Sequence, residues 1–91
     1  MNGLPPELIE VFLLMLRDRT ALMRLAIVKE DRATLVSMVH QVAGTGSSFG
    51  YPVLTEEGRR LEADLVAGVA TKESVHDFVG ICDYVLETAR V

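Results

Sequence analysis

Few side chains in this sequence can carry out group-transfer chemistry, and His40 is the one whose surroundings suit it. The chain has two histidines and one cysteine among its 91 residues. An imidazole is largely neutral near pH 7 and nucleophilic enough to attack phosphorus, and the phosphoramidate so formed readily gives the group up again. At about 100° per residue, a helix through this region puts Leu35, Met38, Val39, Val42, Gly46 and Phe49 on one apolar face. His40 and Gly44 then point roughly 140–180° away from Leu35, toward solvent, with Ser47 beside them. Val36 and Ala43 lie between this patch and the core and form a small apolar shelf, while Ser37, Gln41 and Ser47 offer hydrogen-bond donors.

Glycine inside a helix costs about 1 kcal/mol relative to alanine, and Gly44 and Gly46 fall within three positions of each other. Gly46 faces inward, where it permits close packing against a neighbouring helix. Gly44 faces outward, one turn beyond His40, and leaves the flank of the imidazole open to a partner protein. The plainer alternative makes His40 an ordinary polar residue on the solvent side of an amphipathic helix. Spacing alone favours that alternative, and the glycines count against it.

The other candidates are weaker. His76 sits beside Asp77 in the first turn of a helix, where a surface or capping role is expected. The run Gly44-Thr-Gly-Ser-Ser-Phe-Gly50 has the look of a kinase glycine loop, but such a loop needs a flanking β-hairpin and a far larger catalytic apparatus. Cys82 lies in an apolar helical run and reads as a small buried hydrophobe. Asp, Glu and His do not cluster at metal-ligand spacing, so neither a metal nor another cofactor is expected.

Punctuation in the sequence marks four helices to position these residues. The first opens at Pro5–Pro6, with Glu7 and Glu10 at the positive end of its dipole, and runs to about Val28, a length that leaves room for a bend near Arg17–Thr20. Its apolar residues are Leu8, Val11, Phe12, Met15, Leu22, Leu25 and Ala26. Asp31 is the N-cap of a second helix that continues through about Ser48 and closes at Gly50. Pro52 starts a third, with Leu54, Leu61, Leu65 and Val69 on one side and Gly68 to Thr71 at its end. A fourth starts near Ser74, paired with Asp77, and carries Val75, Phe78, Val79, Cys82, Val85, Leu86 and Ala89. Met15, Met23 and Met38 read as core filler. Short connections force antiparallel neighbours, so the predicted fold is all-α, an antiparallel up-down four-helix bundle formed by residues 1–91 as one domain.

Composition agrees with this assignment and excludes several classes. Hydrophobic residues make up 49% of the chain, with three Phe, two Tyr and no Trp, so the core is aliphatic. Net charge is −4 and no basic stripe appears, which argues against nucleic acid. A single cysteine excludes an internal disulfide and fits a reducing cytoplasm. The segment 33–55 holds no Asp, Glu, Lys or Arg, yet His40, Gln41, its hydroxyls and its glycines make it too polar to span a bilayer. The apolar run Val11 to Leu16 follows two glutamates and lacks a cleavage pattern, so no signal peptide is read there. Val36 and Ala43 are too small to make a dimerising patch, and a monomer is expected.

The run His40-Gln-Val-Ala-Gly44-Thr-Gly-Ser-Ser-Phe-Gly50, followed by Leu61–Glu62, resembles the signature of histidine-containing phosphotransfer (HPt) domains. That pattern reads His-x-Leu-Lys-Gly, a second glycine six residues later and a subsequent Leu-Glu. The resemblance implies a phosphocarrier rather than a turnover enzyme, with His40 the phosphorylated residue, Gly44 making room for the partner and Gly50 closing the helix. It implies that a response-regulator receiver domain is the partner, that a hybrid sensor kinase is a further candidate, and that the receiver supplies magnesium and the acceptor aspartate. The family's lysine is replaced by Ala43, which removes a cation that helps hold the phosphoryl oxygens. Arg60 borders the His40 surface if the second and third helices are adjacent. The rival function is a helical adaptor that binds a receiver or another signalling protein without carrying phosphate.

Overall fold

The computed structural model describes residues 3–89. Its helices are α1 (Pro6–Lys29), α2 (Arg32–Gly46), α3 (Pro52–Ala67) and α4 (Lys72–Thr88), with one 3₁₀ turn, Ser47–Phe49, after α2. Each helix packs on its sequence neighbours, and α4 returns against α1, closing the bundle. The up-down arrangement expected from the short connections is the one observed.

The helix ends follow local chemistry. Asp31 caps α2 by accepting from the Thr34 backbone N–H at 3.1 Å and from the Thr34 hydroxyl at 2.6 Å. Those bonds hold its carboxyl below the ordinary aspartate range. Gly50 and Gly68 adopt left-handed conformations, at φ 90° and 78°, where glycine carries no steric cost. The first turn of α4 begins earlier than the sequence suggests. Its reciprocal cap joins Thr71 to Ser74, so Ser74 is the inner member of the pair and Asp77 takes no part. α1 is a single uninterrupted helix with no break near Arg17–Thr20, and α2 ends at Gly46, two residues before the expected Ser48.

Buried side chains from all four helices fill the core, including Phe12, Leu16 and Met23 of α1, Val39 and Val42 of α2, Leu54 and Leu61 of α3, and Phe78 and Cys82 of α4. Phe12 stacks on Phe49 with centroids 4.7 Å apart and on Tyr51 at 5.7 Å, which ties the α2–α3 connection to α1. Three assignments of apolar residues need correction. In α1 the buried face is Phe12, Leu16, Thr20, Met23 and Ala26, whereas Leu8, Val11, Met15, Leu22 and Leu25 are exposed. Met15 is therefore not core filler. Val69 lies beyond the end of α3 and is exposed. The error in α1 has a plain cause: the helix carries two apolar stripes, and periodicity does not say which one meets the core.

Candidate functional site

His40 stands on the solvent side of α2 with its side chain 70% exposed. Its Nδ1 lies 2.9 Å from Oε2 of Glu62 on α3. A carboxylate only accepts, so Nδ1 carries the proton of the neutral ring and donates it to Glu62. The lone pair then resides on Nε2, the nitrogen on the far side of the ring. The arrangement is an exposed imidazole held at one ring nitrogen by a carboxylate of the neighbouring helix.

Glu62 reaches this position because Thr55, Gly58 and Glu62 share the stripe of α3 that faces α2, at spacings of three and four. The Thr55 hydroxyl donates to the Ala43 carbonyl at 2.7 Å and accepts from the Ser47 backbone N–H at 2.8 Å. That pair of bonds fixes the end of α2 to the start of α3. Gly58 sets the spacing between the helices. A Cβ placed on it would come 2.8 Å from the Ala43 Cβ and 3.3 Å from both the Ala43 Cα and Cζ of Phe78. Gly46 permits the same close approach nearer the turn, where a Cβ would lie 2.7 Å from the Leu54 Cβ and 2.9 Å from the Tyr51 carbonyl oxygen.

These contacts sort the residues expected at the site. Gly44 is exposed, and a Cβ there would meet nothing within 4 Å, so the flank beside His40 is open. Ser37 and Ser47 are exposed on the same side, and Val36 is half-buried at the edge of the core. Ala43 does not belong to this surface. It is 2% exposed, covered by α3 where Gly58 has no side chain, and cannot form the expected shelf. Gln41 is also held elsewhere. Its Oε1 accepts from Arg19 Nε of α1 at 2.8 Å, and its Nε2 donates to the Ser37 hydroxyl at 3.1 Å. Gln41 thus turns toward α1 while His40 leans toward α3. Arg60 pairs with Glu57 at 3.5 Å and borders Asp64, Asp77 and Phe78, so it lies on the α4 side of α3, away from His40.

Sequence reasoning missed what Thr55 and Gly58 do, and it met Glu62 only as part of the Leu61–Glu62 pair, with no contact to His40 foreseen. Their signal was the spacing of seven residues from Thr55 to Glu62 with a glycine between. It also missed Arg59, which follows Thr55 by one turn and precedes Glu62 by three residues on that same side of α3. Arg59 is exposed and has no ion pair or side-chain hydrogen bond among the described residues.

The remaining reactive groups do not compete. The Cys82 thiol is buried in the core, and desolvation pushes it up to about 12, which keeps it protonated and inert. Among the described residues no group of His, Cys, Asp and Glu is placed to hold a metal ion. No helix among them is long and apolar enough to cross a membrane.

Compared with known proteins, the Hpt domain family model matches residues 7–89, nearly the whole chain. No curated protein and no solved structure matches it.

Proposed function

The chain belongs to the Hpt domain family, and on that footing we propose that it relays a phosphoryl group between receiver-domain aspartates through His40. The observation that carries this reading is the bond from His40 Nδ1 to Glu62 on an otherwise exposed ring. The Nε2 lone pair attacks the phosphorus of an aspartyl phosphate presented by the receiver. The N–P bond forms as the O–P bond to the aspartate breaks, and the aspartate leaves as a carboxylate. Phosphorylated on Nε2 and still protonated on Nδ1, the ring is cationic, and the Glu62 carboxylate stabilises that charge as it develops. Transfer to a second receiver runs the same step backwards.

Val36, Ser37, Gly44 and Ser47 form the docking surface in this reading, and Gly44 lets the receiver backbone approach the ring. The lysine of the family pattern has no room at position 43, where the side chain faces α3. Arg59, exposed on the same side of α3 three residues before Glu62, takes its place from the other helix and holds the phosphoryl oxygens. The domain works in a reducing cytoplasm, consistent with its single buried thiol. The test is phosphorylation by a phosphorylated receiver: wild type gains an acid-labile, base-stable phosphoryl group and His40→Gln does not.

The adaptor reading draws on the missing lysine. Receiver binding that survives His40→Ala, with no phosphoryl group appearing on the wild type, selects it.

A further inference from the structure

Away from His40, α1 turns a second apolar face to solvent. Val11, Leu14, Met15, Leu22, Leu25 and Val28 lie along it, with exposures running from 39% at Met15 to 80% at Val28. The core-facing side of the same helix is already occupied by Phe12, Leu16, Met23 and Ala26. A helix with water on its outer side ordinarily presents polar residues there, whereas here Asp18 alone interrupts the stripe between Val11 and Val28. The largest apolar patch on a typical monomer is about 300–600 Å². A second helix laid along this face covers on the order of 600–800 Å² per chain, within reach of a specific protein pair.

Charge along α1 selects the occupant and its direction. Glu7 and Glu10 are the charged residues of its first turns and Lys29 closes its last; between them Arg17 and Asp18 are exposed, while Arg19 and Arg24 are held by Gln41 of α2 and Asp83 of α4. Two parallel copies would stack like on like. Two antiparallel copies bring each acidic start against a basic end and oppose the helix dipoles. A face that complements itself under a two-fold rotation is what an isologous dimer requires.

We propose that this face is where a second copy of the chain docks, α1 against α1 and antiparallel. The two-fold dimer leaves His40, which leans toward α3, outside the contact. The expectation of a monomer looked for an apolar patch only around Val36 and Ala43, and the patch lies on α1 instead. Sedimentation equilibrium of the whole chain from micromolar to millimolar concentration tests the proposal, with Leu25→Glu and Val11→Glu as exposed-site variants whose fold is checked by circular dichroism. The wild type is expected to approach twice the chain mass, and each folded variant to associate at least tenfold more weakly. Glu10→Lys and Lys29→Glu each weaken association alone and restore it when mixed, since both cross-pairs then join opposite charges. A wild type that stays at single-chain mass throughout overturns the proposal, as does association that folded Leu25→Glu leaves unchanged. It is equally overturned if the wild type is monomeric and Leu25→Glu weakens a receiver titration, since that gives the face to the receiver.

Discussion

Replacing Gly44 and Gly58 by alanine, one at a time, puts the same methyl group into two helix interiors with opposite expected results. Helix propensity favours alanine by about 1 kcal/mol at either position. At Gly44 the new Cβ meets nothing within 4 Å, so the gain is kept and the fold is stabilised by roughly 0.5–1 kcal/mol. At Gly58 the Cβ arrives 2.8 Å from the Cβ of Ala43 and 3.3 Å from its Cα. Neither atom rotates away, so α2 and α3 must separate. Overpacking of this kind costs about 1–3 kcal/mol. With backbone-attached atoms in the way the cost sits near the top of that range, leaving a net loss of roughly 1–2 kcal/mol. The two variants therefore differ by about 1.5–3 kcal/mol, or at least about 6 °C in Tm for a domain of this size. Thermal unfolding followed by circular dichroism measures it. Variants that melt together, or Gly58→Ala melting higher, would refute the close approach of α3 to α2 and with it the placement of Glu62 beside His40.

Three other outcomes follow from the same geometry. Glu62→Ala releases Nδ1, frees the tautomer and removes the carboxylate that stabilises the phosphorylated ring. The rate of phosphoryl uptake from a receiver falls by up to about tenfold while Tm changes little, because His40 is largely exposed and the pair is worth roughly 0–1 kcal/mol to the fold. Arg59→Ala slows transfer and Arg59→Lys retains most of it, as stopped-flow or quenched-flow transfer assays will show. Equal rates for all three chains would remove Arg59 from the site. Burial raises the Cys82 thiol from 9.0 to about 12, so the folded state holds that proton more tightly than the unfolded state. Its contribution to stability is complete below about pH 9 and is lost as pH rises toward 12. Urea unfolding at pH 8 and pH 10.5 registers that loss, and Cys82→Ala abolishes this component.

Much of the fold was legible because its signals are local. Pro52, Asp31, Gly50 and Gly68 mark helix ends through their own backbone or side-chain chemistry, which needs no neighbour to act. The same holds for His40: a step of five residues along the helix from Leu35 turns it to solvent. What escaped was set by other helices. Ala43 looks like a surface residue on the angular count for α2, and only the missing side chain of Gly58 on α3 explains why it is buried. Gln41 looks available until Arg19 of α1 claims it. Helix α1, apolar on two sides, gives one periodic pattern for two faces with different fates, and the sequence carries no local mark that separates them.

The function proposed for this chain rests on His40 carrying the phosphoryl group. Intact-mass analysis after incubation with a phosphorylated receiver domain tests it most directly, on wild type and His40→Gln together. One added phosphoryl mass is expected on the wild type, lost in acid and kept in base, and none on a His40→Gln chain that melts within a few degrees of wild type. No added mass on a wild type that nonetheless binds the receiver, or an equal mass on the variant, would contradict it.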